Sequence, residues 1–232
     1  MKPDGVSLRS LLAEAAAAPG RTGGRGGSLA PSPFVYLASQ SPRRRQLLDQ
    51  IGVRHELLVA AADEDVEALE ATRAGELPSQ YVERVTRAKL RAARRRLVAR
   101  GLVPAPILCA DTTVALGRRI LGKPVDAADA ARTLALLSGR SHRVISAVAV
   151  AARGQTRLAV SVSRVRFAKI ALATIDRYVA GGEPFGKAGA YAIQSGAAAW
   201  IEKIDGSYTG IMGLPLHETA VLLEWAGVEV RP

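Results

Sequence analysis

The stretch Val35-Tyr36-Leu37-Ala38-Ser39-Gln40-Ser41-Pro42-Arg43-Arg44-Arg45-Gln46-Leu47-Leu48 decides how the rest of the chain is read. Its apolar start, Val35 to Ala38, predicts a buried strand. Ser41 suits a helix N-cap, and Pro42 suits the first helical position, where a missing N–H costs nothing. A strand end, a short loop and a helix start are thus joined in one place. Helix N-termini present unpaired N–H groups and partial positive charge. Arg43 and Arg44 add full charges there, on guanidinium forks that match phosphate oxygens. Acidic residues are the ordinary choice for a first turn, and cations disfavour the isolated helix. The segment is therefore either a solvated basic helix start or an anion site.

Outward from it, strand and helix signals alternate. Strands are predicted over 34–39, 54–60, 107–116, 142–151, 157–168 and 197–204. Helices are predicted over 42–51, 79–100, 127–137, 172–180 and 214–226, with Ser79 and Asp126 as caps and Gly52, Gly101 and Gly139 as stops. This order specifies an α/β fold with a mixed central sheet flanked by helices. The long strands within 142–168 elongate the sheet and leave a cleft between two lobes. Residues 1–33 differ: Gly20 to Ser28 is low-complexity, and a short helix over 6–18 has little to pack against. They read as a disordered N-terminal extension before a domain at 34–232.

The 232 residues suffice for a real core, and with 4% aromatics that core must be aliphatic. The single cysteine, Cys109, excludes an internal disulfide and a multi-cysteine metal site, and its apolar neighbours mark a buried inert thiol. The net charge of +11 suits anionic partners, among them nucleic acid, anionic membrane and free nucleotides. No apolar run approaches a membrane span, and the N-terminus lacks a secretory pattern. The few aromatics and the absence of a recognition motif count against a nucleic-acid module. His55, His142 and His217 have no metal-ligand spacing and read as structural or exposed. A P-loop and a Gly-x-Ser-x-Gly elbow are both absent.

Several residues carry possible chemistry. Asp111 lies inside the apolar run Ile107 to Leu116, where a carboxylate is costly unless it is paired or metal-bound. It is either an ion-paired or turn-capping residue, or a metal ligand or base for water. Lys89 shares a helical face with Val82, Val85, Ala92 and Ala93, so it either snorkels or reaches into a site. Lys123 sits between Gly122 and Pro124 in a tight loop. Asp63-Glu64-Asp65 is either a solvated acidic loop or a set of oxygen ligands for a hard cation such as Mg²⁺.

Together these segments resemble the Maf family of nucleoside triphosphate pyrophosphatases, from about Val35 to Val228. The likeness rests on LASQSPRRRQLL (37–48), ADTTVAL (110–116), LGKP (121–124), LSGRSHRVISAV (137–148), KAGAYAIQ (187–194) and KIDGSYTGIMGLPL (203–216). It implies a two-lobed fold similar in shape to inosine triphosphatases, and Mg²⁺- or Mn²⁺-dependent hydrolysis of a nucleoside triphosphate to monophosphate and pyrophosphate. It also implies a cytoplasmic homodimer. On the matching positions, Ser39, Arg43 and Arg44 would bind phosphate, and Lys89 and Lys123 the triphosphate. Asp111 would be the base or a metal-linked carboxylate, and Asp63 or Glu64 a further metal ligand.

Ser41 to Arg44 and Ile193-Gln194 resemble the members acting on dTTP and UTP rather than on 7-methyl-GTP, with modified pyrimidine nucleotides as further candidates. The Gln194 amide can donate to and accept from a pyrimidine edge. Gly186, Ser195 and Gly210 depart from the family's usual residues and bear on pocket shape. The family name also implies a different role, protein interactions that restrain septum formation.

Overall fold

A computed structural model describes residues 32–61 and 64–231. The N-terminal extension up to residue 31, including the helix expected over 6–18, and the metal candidate Asp63 lie outside the described residues. Seven strands form one mixed sheet: β1 (Val35–Leu37), β2 (His55–Leu57), β3 (Ile107–Leu116), β4 (Arg119–Leu121), β5 (Ser141–Ala152), β6 (Gln155–Phe167) and β7 (Ile201–Asp205). Their order is β2-β1-β3-β5-β6-β7, with β4 pairing β3 beside this path. The pairs β1–β2 and β1–β3 are parallel, and the remaining pairs are antiparallel. Among the described residues six helices flank the sheet: α1 (Pro42–Gln50), α2 (Pro78–Ala99), α3 (Ala127–Leu137), α4 (Leu172–Ala180), α5 (Tyr208–Met212) and α6 (Leu216–Trp225).

The long strands β3 and β5 serve two different cores. Successive side chains of a strand point to opposite faces. In the first half of β3, Leu108 and Ala110 join Val148 and Val150 of β5 against Leu47 and Leu48 of α1 and Leu222 and Leu223 of α6. Ile107 and Cys109 join Ala149 and Ala151 against Leu90 and Ala93 of α2. Further along, Val114 and Val144 belong to a second core with Leu134 and Leu137 of α3, Ile175 and Val179 of α4, and Phe167, Tyr191 and Ile193. Both faces are covered in the first core, which explains the unbroken apolar run at 107–110. Between the two cores, Asp111, Thr112 and Thr113 interrupt that run and face the cleft. By the strand alternation, Asp111 lies on the α2 side and Thr112 on the other.

Most boundaries expected from sequence agree with the structure to within a few residues, and the differences have local causes. The strand expected over 54–60 stops at Leu57. The carbonyls of Leu58 and Val59 accept instead from Arg96 of α2 and from Arg100 at its C-terminal cap, at 2.7 and 3.0 Å, so they are lost to a ladder. Helix α2 starts at Pro78 with Leu77 as its cap residue, not Ser79, and Leu77 N–H donates to Gln80 Oε1. The strand expected over 197–204 begins only at Ile201. The preceding Gly196–Trp200 forms a 3₁₀ turn, in keeping with the low β-propensity of Gly and Ala. Strand β4 and helix α5 were not foreseen. Each is short, and α5 depends on Ser207, whose hydroxyl accepts from Gly210 N–H at 2.9 Å.

A turn at Ala188–Ala190 rests directly on β3. Gly189 has φ +72°, and a Cβ there would lie 2.8 Å from Val114 Cγ2 and 2.9 Å from Val114 Cβ. Branched Val114 sits in a strand between two partners and cannot yield. Gly189→Ala therefore combines an unfavourable backbone conformation with a clash, and is expected to destabilise the fold by about 1–3 kcal/mol. Urea unfolding of the variant beside the wild type checks this. Equal midpoints would refute the close approach.

Candidate active site

The cleft holds a cavity of about 450 Å³. Its walls come from the 38–44 loop and helix start, the middle of β3, the Gly122-Lys123 loop, residues 186–194 and the Ile211–Gly213 turn. Arg43, Arg44, Lys89, Lys123 and Lys187 face it against two carboxylates, Asp111 and Glu70. Such an excess of cations at a helix start suits a polyanion.

At the centre is an ion-pair chain, buried at Lys89 and Asp111 and opening to solvent at Lys123. Lys89 projects from α2, one turn beyond buried Val85 and Thr86, across to β3. Its Nζ donates to Asp111 Oδ1 at 2.6 Å and to Glu70 Oε1 at 2.7 Å. Lys123 Nζ donates to the other oxygen, Glu70 Oε2, at 2.9 Å. The Lys89 and Asp111 side chains are only 14% and 10% exposed, so Lys89 reaches into the site rather than snorkelling. Burial disfavours the ammonium, but the Asp111 and Glu70 carboxylates outweigh it and hold the Lys89 pKa above its ordinary value. Burial would raise the Glu70 pKa, yet Lys89 and then Lys123 keep it below the usual carboxylate range.

The loop from β1 to α1 is organised around Ser39. Its hydroxyl accepts from Ser41 N–H at 3.2 Å and from Arg44 Nη1 at 3.1 Å. Arg44 Nε donates to the Gly213 carbonyl at 2.9 Å, and Arg43 Nε to that of Met212 at 3.3 Å. Ser41 stands at the N-cap, but its side chain caps nothing, so the first turn of α1, which lines the cavity, has no side-chain cap of its own. Burial pushes the Arg44 guanidinium down from its ordinary value, and Asp111 opposes that. A chain of hydroxyls supports the opposite wall. Ser146 Oγ shares a hydrogen bond with Thr112 Oγ1 at 2.8 Å and donates to the Gly210 carbonyl at 2.6 Å.

The structure thus brings together Ser39, Arg43, Arg44, Lys89, Asp111, Lys123 and, at the exposed rim, Gln194. Glu64 is placed elsewhere. Arg96 grips its carboxylate through Nε at 2.8 Å and Nη2 at 2.5 Å, and Glu64 does not line the cavity. The carboxylate that enters beside Asp111 is Glu70, which sequence reasoning passed over. Its sequence neighbourhood, Glu67-Ala68-Leu69-Glu70, reads as an ordinary acidic stretch. Lys187 and Tyr81 were also passed over as site residues. Lys187 opens the KAGAYAIQ block, whose lysine and single glycine were the available signal. Desolvation pushes its pKa down, nearby Arg43 adds to this, and Glu183 opposes it. Tyr81 is raised to about 12 by burial and by Asp111 and Glu70.

Among the described residues no group of three His, Cys, Asp or Glu side chains gathers to hold a metal, and no helix is long and apolar enough to cross a membrane. Asp111 and Glu70 nevertheless fit a hard cation. Both bind one ammonium, so their oxygens already face a shared positive charge, and Mg²⁺ commonly needs only one or two carboxylates beside substrate phosphates. His142 is buried, shares a 2.7 Å hydrogen bond with the Tyr191 hydroxyl, and is pushed down to about 4 by burial. Cys109 is fully buried and its thiol is pushed up to about 12, as an inert core cysteine should be.

A two-lobed α/β fold with a cation-lined cleft, a helix N-terminus and an inward carboxylate defines a class of phosphate-handling proteins. Comparison with known families narrows it: residues 34–226 match the family described as Maf-like protein, and the chain belongs to the Maf family. Curated relatives agree. A dTTP/UTP pyrophosphatase of Polaromonas sp. is 62% identical over 198 residues, covering 85% of this chain and 98% of the relative. One from Burkholderia pseudomallei is 64% identical over 202 residues, covering 86% and 97%. One from Ralstonia nicotianae is 62% identical over 200 residues, covering 86% and 97%.

The Glu64–Arg96 pair has a consequence for acid stability. The Arg96 hydrogen bonds hold the Glu64 pKa at about 2, against an ordinary 4.5. Between these values the unfolded chain binds the extra proton, so this stabilisation is complete above pH 4.5 and is lost as pH falls toward 2. Melting temperatures of wild type and Glu64→Gln should converge over that window on acidification. A constant difference from pH 6 to 2.5 would contradict the pairing.

Proposed function

We propose that this protein is a nucleoside triphosphate pyrophosphatase that converts dTTP, UTP and modified pyrimidine nucleotides to the monophosphate and pyrophosphate. The observation that carries this is the cavity itself, where five cationic side chains surround an inward carboxylate at a helix start, in a chain closely related to dTTP/UTP pyrophosphatases.

The triphosphate lies against the first turn of α1, its oxygens taken by Arg43, Lys89 and Lys123, while Ser39 and Arg44 fix the loop that presents these groups. Lys89 holds the Asp111 carboxylate in position. Asp111 orients a water and takes its proton as the water oxygen bonds to the α-phosphorus. The bond to the β-phosphate oxygen breaks, and pyrophosphate leaves with its charge matched by the lysines. A divalent cation, Mg²⁺ or Mn²⁺, held by Asp111 and the neighbouring carboxylate Glu70, would neutralise phosphate charge and polarise the reacting phosphorus. Glu64 can join that set only by leaving Arg96, and Asp63 is the other candidate from the acidic cluster. Gln194 at the rim meets the pyrimidine edge. A homodimer working in the cytoplasm, where nucleoside triphosphates are found, completes the proposal.

The experiment is pyrophosphate release from dTTP, UTP, CTP, GTP and 7-methyl-GTP with Mg²⁺ or Mn²⁺. Preference for dTTP and UTP is expected, with Asp111→Asn slowing turnover by roughly 10²–10⁴-fold at unchanged secondary structure. Near wild-type turnover in Asp111→Asn would remove its role as base. Gln194→Ala should narrow the preference for dTTP and UTP over the other nucleotides while pyrophosphate release persists. An unchanged preference would remove Gln194 from base recognition.

A further inference from the structure

Glu70 occupies a place that the proposed reaction assigns to substrate. Its two carboxylate oxygens each hold one lysine, Oε1 taking Lys89 and Oε2 taking Lys123. Two oxygens on one centre spanning two ammonium groups is also how a phosphate would bind them. The position is built into the fold. Glu70 ends the 3₁₀ turn Glu67–Glu70, and its carbonyl accepts from the Tyr81 hydroxyl at 2.9 Å. On either side, the carbonyls of Leu69 and Ala71 accept from Arg84, at 3.4 and 2.8 Å. Arg84 is itself fixed by both oxygens of Glu76, at 2.6 and 2.7 Å. The turn is therefore clamped on α2, with the Glu70 side chain 25% exposed at the cavity wall.

We propose that Glu70 is an internal stand-in for phosphate, which the triphosphate must displace from Lys89 and Lys123 and which makes binding conditional on an accompanying divalent cation. This rests on the lysines being the triphosphate contacts. The conditionality follows from what displacement leaves behind. Once phosphates take the lysines, the Glu70 carboxylate remains clamped on its turn beside Asp111, and both face an incoming polyanion. Like charges in a partly desolvated cavity repel strongly. A divalent cation entering with the triphosphate gives the displaced Glu70 carboxylate a partner again and offsets this repulsion. Without the cation, Glu70 retains the lysines and the triphosphate is turned away.

The test is calorimetric binding of inorganic tripolyphosphate at fixed ionic strength, once with EDTA and once with Mg²⁺, to wild type, Glu70→Gln, Glu70→Ala and Lys123→Ala. The wild type should bind weakly in EDTA and much more tightly with Mg²⁺. Glu70→Gln removes the competing charge at constant shape and should tighten EDTA binding by about tenfold or more, the scale of one partly screened charge contact. The advantage conferred by Mg²⁺ should shrink correspondingly. Glu70→Ala should act in the same direction, and a circular dichroism spectrum matching wild type verifies that each variant is folded. Unchanged or weaker EDTA binding in both Glu70 variants, with Lys123→Ala still impairing Mg²⁺-supported binding, would overturn the stand-in role alone. Wild-type binding indifferent to Lys123→Ala would overturn the lysine contacts and this proposal with them.

Discussion

The Lys89 ammonium, held between Asp111 on β3 and Glu70 on the turn before α2, is the interaction on which the site depends. A lone charge in so enclosed a place would be severely penalised, and removing one partner of such a group leaves the other stranded. Two carboxylates around one ammonium, with Lys123 closing the chain, keep every member of the set paired. The same contacts dock α2 onto the middle of β3 at the level where the apolar cores part. The charged cluster thus both fixes the lobe's geometry and gathers the groups that a polyphosphate needs. It is also incomplete in one respect: the cavity retains an excess of cationic side chains that only a bound anion can balance.

That cluster sits where the two faces of β3 and β5 are covered differently. On one face α2 packs along the strands, with Tyr81, Val82 and Val85 on Ile145 and Ala147, while on the other face the two ends are buried in separate cores and the interval between them opens to the cleft. Polar side chains accumulate in that interval on both faces. Asp111 turns toward α2, while on the other side Ser146, itself bonded to Thr112, holds the Gly210 carbonyl. Arg44 then ties the start of α1 to the same wall through Gly213. The start of α1 and the Ile211–Gly213 wall of the cavity are therefore positioned by one strand pair.

The two acidic residues near the site have separate duties, set by which cation each can reach. Glu64 meets Arg96, whose guanidinium also takes the Leu58 carbonyl, and so secures the strand-to-turn connection. Glu70, six residues on, meets the two lysines. In the sequence both lie in one acidic region, and the cluster at 63–65 looks the stronger candidate for a cation. Only the path of the turn reverses that order for the described residues, because Arg84 and Tyr81 clamp it so that Glu70 points inward.

The sequence by itself determined the alternation of elements and the aliphatic core, and it marked the strand–loop–helix junction at 37–48, Asp111 and Lys89 as candidates while leaving open whether Lys89 snorkels or reaches inward. Each of these is written in local periodicity or in the cost of burying a charge. An Asp inside an apolar strand and a Lys inside an apolar helical stripe both require partners, and they turn out to be partners of each other. Tertiary structure alone decided that Glu70 joins them, that Glu64 belongs to Arg96, that Gly189 must leave room for Val114, and that the 54–60 strand ends early. These outcomes depend on groups far apart in sequence meeting at van der Waals or hydrogen-bond distance. No local pattern encodes which of several nearby carboxylates a given cation will reach.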